Sequence, residues 1–275
     1  MPIDAHATRW MVLRSFDVPI SCSSEWRSYM YSMGKCYVIQ SMTRLISFLY
    51  SESISISLPA CAWEGITCDE DGSVIAIDAA GSGLRAKIPP EYGQLKSLRS
   101  LNLAECDLYG PIPPEVFSLP HLESFDVSAN AVDGTIPSAP SASMRRIVLR
   151  QNRLKGPLPD PLPADLVVLD VSKNHMTGTI PLSYEQLHSM AFFDVSNNEL
   201  VGSLPYHIGD LQNLQGFFVN NNRLMGTIPY SFSRDDSNLV QLFLEYNDLS
   251  GTIPAGLADI PPLKDLFVDG NKFTG

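Results

Sequence analysis

Five cysteines and five histidines give this 275-residue chain its widest choice of chemistry. Cys22, Cys36, Cys61, Cys68 and Cys106 could ligate a metal, form disulfides or supply a nucleophile, but an odd number cannot pair completely within one chain. His6, His121, His175, His188 and His207 are dispersed, and none stands at metal-ligand spacing from a cysteine or carboxylate. The sequence has no phosphate-cradling glycine loop and no nucleophile elbow. The expectation is a protein that is not an enzyme and has no cofactor or metal centre.

Composition narrows the partners. The chain has 19 Lys+Arg against 30 Asp+Glu and a formal charge of −11. Without a basic block, such a chain is a poor match for nucleic acid or an anionic membrane surface. No apolar run approaches the roughly 18 residues that a membrane span requires. At 44% hydrophobic residues, a sizeable core is available. The first 20 residues, interrupted by Asp4, Arg9, Arg14 and Asp17, do not read as a secretory signal. Residues 1–60 read as a poorly defined, partly helical segment with no repeat, in which Cys22 and Cys36 have no assigned role.

The remainder is periodic. Ile/Leu-Pro pairs recur at Ile88, Ile112, Ile136, Leu158, Ile180, Leu204, Ile228 and Ile253, at intervals of 22–25 residues. Six residues before each lies a second fixed position: Ser82, Cys106, Asn130, Asn152, Asn174, Asn198, Asn222 and Asn247, with Asn271 opening a partial ninth copy. Upstream of it runs apolar-x-x-apolar-x-apolar-x-x-Asn, as in LQGFFVNNN and LKDLFVDGN. Apolar residues alternating with period two, such as Phe193 and Val195, fit a short strand with one buried face. The Asn at the corner can satisfy backbone groups that would otherwise be buried unpaired, whereas Cys106 is a small, weakly bonding substitute for it. Glycines such as Gly134, Gly178 and Gly226 relieve the bend, and the proline opposes a regular helix beyond it. The short copies after Ile136 and Leu158, with PSAPSAS and PDPLPAD, leave no room for one.

This unit resembles the plant-type leucine-rich repeat, whose L-x-x-N-x-L-x-G-x-I-P style is seen in LDVSKNHMTGTIP. CAWEGITC, Cys61 to Cys68, resembles the N-terminal cap of plant receptor-like kinases, receptor-like proteins and polygalacturonase-inhibiting proteins. Similar repeats occur in trypanosomatid and other protist surface antigens. The resemblance implies an α/β repeat: a right-handed solenoid with a parallel concave sheet, a mostly irregular convex side, a cap motif at 61–73 and repeats over 74–275. It implies a Cys61–Cys68 disulfide over the open end, with Trp63 covering apolar core. It also implies an extracellular or cell-surface recognition module of a receptor-like signalling or defence protein, with a cytoplasmic location left open. The alternative is a stand-alone secreted or surface protein, either a cell-wall hydrolase inhibitor or an adhesive antigen. The chain carries no Asn-x-Ser/Thr sequon, unlike many extracellular members.

In such repeats the outward residues of the strand line the concave face. The fifth position reads Asp78, Asn102, Asp126, Val148, Asp170, Asp194, Phe218, Phe243 and Phe267. Strands ~4.8 Å apart would join the last three into an aromatic ridge, flanked by Glu245, Tyr246 and Asp269. Arg146, Arg150 and Lys173 fall on the same face among acidic residues. These nine residues are the expected site for a protein or peptide ligand, with carbohydrate as an alternative.

Overall fold

The computed structural model describes residues 60–234 and 236–274; the expectations for residues 1–59, including Cys22 and Cys36, lie outside them. A hairpin opens this part of the chain, Ile66–Cys68 pairing antiparallel with Val74–Asp78. From Val74–Asp78 onward every strand of the main sheet is parallel, one per coil: Ser100–Asn102, Ser124–Asp126, Arg146–Val148, Val168–Asp170, Phe192–Asp194, Gly216–Phe218, Gln241–Phe243 and Asp265–Phe267. The register is constant, so equivalent residues stack directly: Phe193 against Leu169 and Phe217, and Phe217 against Leu242.

The middle residue of each strand faces inward. Ile77, Leu101, Phe125, Ile147, Leu169, Phe193, Phe217 and Leu242 are all 2% exposed or less. Aromatic rings fill the widest part of the core: Phe193 stacks on Phe217 at 5.2 Å between ring centres, and Phe217 meets Phe232 at 5.2 Å. Each coil contributes only a few such side chains, so the core exists only as a stack of neighbours.

The Asn ladder holds adjacent coils together. Asn198 Oδ1 accepts the Met176 N–H at 2.8 Å, while its Nδ2 donates to the carbonyls of Val171, Val195 and Ser196 at 3.0–3.1 Å. The same pattern recurs at Asn130, Asn152, Asn174, Asn222, Asn247 and Asn271. In the first two slots Cys106, fully buried, donates its thiol to the Ala79 carbonyl at 2.9 Å and lies 3.3 Å from the Ser82 hydroxyl.

The far side is more ordered than the proline pattern implies. Single helical turns begin directly after the prolines at Pro90–Gln94, Pro114–Phe117, Leu182–Gln186, Tyr230–Ser233 and Ala255–Asp259, and three residues after Pro205 at Ile208–Asp210. The two short, proline-rich coils have none. Between the Asn corner and these turns run two further four-stranded parallel sheets, one from Tyr109–Gly110 to His175–Met176 and one from Val201–Ser203 to Lys272–Phe273. Glycine makes this second layer possible. Gly202 has φ +84° and lies so close to Thr179 that a Cβ would sit 2.8 Å from its methyl carbon.

At the opening end Cys61 and Cys68 are disulfide-bonded, and Trp63 packs partly buried against the core. A loop this short gives about 2–3 kcal/mol in the chain-entropy model. Gly65, φ +78°, accepts the Asp78 N–H at 2.7 Å, and a Cβ there would run into the Asp78 carbonyl oxygen. The glycine of the cap motif therefore has a steric cause.

Candidate functional site

The alternation that buries Phe193, Phe217 and Leu242 turns their neighbours outward. Phe218, Phe243 and Phe267 pair in register on adjacent strands and lie side by side on the concave face. Their rings alternate edge to face, Phe218–Phe243 at 4.9 Å and Phe243–Phe267 at 4.7 Å. Phe218 and Phe243 are half-buried, and Phe267 is 45% exposed. Leu266, an inward position, is also partly exposed because no coil stacks beyond it among the described residues.

Two glycines widen this surface. A Cβ on Gly216 would meet the Phe218 ring at 2.6 Å and the Phe192 ring at 2.9 Å, so both rings rest against its bare backbone. Phe192, 41% exposed, thereby extends the aromatic patch by one strand. It occupies the third repeat position, which the fifth-position reading does not reach. Gly270 plays the same part for Tyr246, whose ring would lie 2.6 Å from a Cβ there.

Carboxylates frame the ridge. Asp265 accepts Gln241 Nε2 at 3.0 Å on one side. On the other side Glu245 and Asp269 occupy equivalent positions on neighbouring coils. Glu245 Oε2 is enclosed without a hydrogen-bond partner among the described residues. Burial first, and then the charge of Asp269, push its carboxyl above the usual carboxylate range. Tyr246, at φ +56°, stands exposed beside it.

Arg146, Arg150 and Lys173 are exposed on the same face, but the Arg146 strand lies three strand spacings from Phe218, about 14 Å. The basic group therefore lies beyond the Phe192 end of the aromatic patch, with Lys173 on the coil next to Phe192, and away from Phe243 and Phe267. Val148, between Asp126 and Asp170 in the outward register, is nonetheless buried, at 6% exposed.

Further along, Asp170 and Asp194 sit directly opposite each other. The Asp194 carboxyl is raised, first by burial and then by Asp170, against the opposing effects of its Ser196 bonds and Arg150. Asn102 shows how this register can be relieved: its Oδ1 accepts the Ala104 N–H as Asp194 accepts that of Ser196, while its Nδ2 donates to Asp78 at 3.0 Å. Because the raised folded value favours the protonated form, Asp194 contributes fully below its ordinary 3.8, and that contribution is lost as pH rises through the raised value. Asp194→Asn should therefore stabilise the fold by about 0.5–1 kcal/mol at neutral pH, through one added hydrogen bond and one lost repulsion. The advantage should shrink in acid. Urea denaturation of both proteins across pH checks this; parallel stability curves would refute it.

Two of the four described histidines pair with surface carboxylates, His207 Nδ1 with Asp210 at 2.8 Å and His175 Nδ1 with Glu199 at 3.7 Å. Among the described residues no three His, Cys, Asp or Glu side chains are grouped to hold a metal ion, and no helix is long and apolar enough to cross a membrane.

The model of the leucine-rich-repeat family matches residues 97–119. The ectodomain of the Arabidopsis thaliana receptor kinase GASSHO1/SCHENGEN3, solved with CASPARIAN STRIP INTEGRITY FACTOR 2, superposes with a TM-score of 0.72 at 27% identity, over 87% of this chain. The chain folds as a leucine-rich-repeat solenoid, similar to those of plant receptor ectodomains. The plant peptide hormone receptor RGFR1, solved in complex with RGF2, aligns at 33% identity with a TM-score of 0.64 over 68% of this chain. Receptor-like protein 30 of Arabidopsis thaliana is 42% identical over 53 residues, 18% of the solenoid chain. The alignments span 33% and 31% of the two solved chains and 7% of Receptor-like protein 30.

Proposed function

We propose that the solenoid is an extracellular recognition module that binds an extended peptide or protein segment along its concave sheet, anchored on Phe218, Phe243 and Phe267. The observation that carries this reading is the ridge itself: three adjacent aromatic residues held in register out of phase with the core. Large aromatic side chains gathered on an open surface are the residues that dominate binding energy at interfaces. A parallel sheet whose strands run across the groove also offers an extended chain regularly spaced side-chain contacts. The peptide complexes of the similar receptor ectodomains support the same reading. In a longer receptor-like protein, this region would supply ligand recognition for signalling or defence.

Photo-crosslinking tests it. A linear peptide selected from a random displayed library, carrying a benzophenone side chain, should attach to segments containing Gly216–Phe218, Gln241–Tyr246 or Asp265–Gly270. Crosslinks confined to the convex turns, where Leu182, Tyr206 and Tyr230 are exposed, would overturn the assignment.

A further inference from the structure

We propose that the concave site takes a cationic side chain, the Lys or Arg of an extended peptide, with its ammonium or guanidinium group set against the Phe243 and Phe267 rings and donating to Glu245 and Asp269. This deepens the peptide-binding reading and rests on it. The ridge alone would suit any apolar residue; its frame is what selects. Asp265 borders it at the third repeat position, and Glu245 and Asp269 border it at the seventh, about 7 Å along the strands from the rings. None of these three carboxylates forms an ion pair among the described residues, although other surface acids do, as in Arg223–Glu199 and Lys272–Asp248.

Glu245 gives the most direct indication. One of its oxygens is enclosed and has no donor among the described residues, which leaves the carboxylate's charge under-compensated and favours a cation at the side chain's open side. A second carboxylate on the next coil adds to the local negative potential. Beside them lie aromatic faces, whose quadrupoles attract a cation. A hydrogen-bond donor that is positively charged and has an apolar stem satisfies all three surroundings at once. Lys and Arg side chains have that form. The chain's net charge of −11 would further favour approach of a basic segment.

The test uses the full chain and peptides selected on it from a random linear library. The selected set should be enriched in one Lys or Arg next to apolar residues. Replacing that residue by norleucine should weaken binding roughly tenfold or more, since both a cation–π contact and charge-assisted hydrogen bonds go. Glu245→Gln, which keeps the shape and removes the charge, should give a similar loss, and the two changes together should cost little more than either alone. Peptides that lose affinity with Phe243→Ala but ignore both norleucine and Glu245→Gln would overturn the cation assignment while leaving the ridge in place. Selected peptides indifferent to Phe243→Ala would overturn both.

Discussion

Asn198→Ala is expected to cost about 2–4 kcal/mol, although it removes only a small polar side chain. The amide bridges two coils through four hydrogen bonds; alanine strands the Met176 N–H and removes one of two donors from the carbonyls of Val171, Val195 and Ser196, which keep Asn174, Asn222 and the Lys173 N–H. The stranded N–H costs about 1–3 kcal/mol and the lost bonds to the three carbonyls add to it, less whatever relaxation or an entering water recovers. Because a solenoid is stabilised through nearest-neighbour interfaces, the damage falls on the junction between the Asn174 and Asn198 coils. Urea denaturation followed by circular dichroism should show a lowered midpoint, or a transition divided into two as the halves uncouple. A loss below about 1 kcal/mol would mean that the ladder is decorative.

Phe217→Ala should be comparably severe, at about 3–5 kcal/mol, because it empties a fully buried site between Phe193 and Phe232. Its neighbour Phe218 faces the concave groove, so Phe218→Ala should cost only about 1 kcal/mol, the value of a partly buried edge-to-face contact. The two variants differ by one step along the chain, and their thermal or chemical denaturation isolates the face each ring occupies. Equal losses would show that the alternation fails at this strand.

The fold was largely legible because its determinants are local and repeated. Asn130 to Asn271 and the Ile/Leu-Pro pairs mark each corner at a nearly constant interval, and one misread coil would break the series. Cys106 was legible as a buried substitute because its neighbours define its slot. The second pair of sheets was not legible. Its strands run only two to four residues, as at His175–Met176 and Arg153–Gly156, too short for alternation to register. It depends instead on backbone bonds between coils, such as Thr177 N–H to the Gly156 carbonyl at 2.8 Å.

The candidate site was legible in part. Phe218, Phe243 and Phe267 follow from register alone. The contribution of Phe192 does not, since it depends on Gly216 being bare enough to seat two rings. The enclosed oxygen of Glu245 is likewise a product of packing, as is the burial of Val148 in an outward register. The separation of Arg146, Arg150 and Lys173 from the ridge could have been counted from strand order.

The central claim is that binding energy is concentrated on the concave ridge. The affinity of one selected peptide, measured by calorimetry against wild type, Phe243→Ala and Tyr206→Ala, tests it most directly. Tyr206 is a suitable control because it is 62% exposed and lies in a convex segment rather than in the concave sheet. Phe243→Ala should weaken binding by roughly 2 kcal/mol or more while the melting temperature falls only slightly, and Tyr206→Ala should change neither. Undiminished affinity in Phe243→Ala, or a loss confined to Tyr206→Ala, would contradict the account.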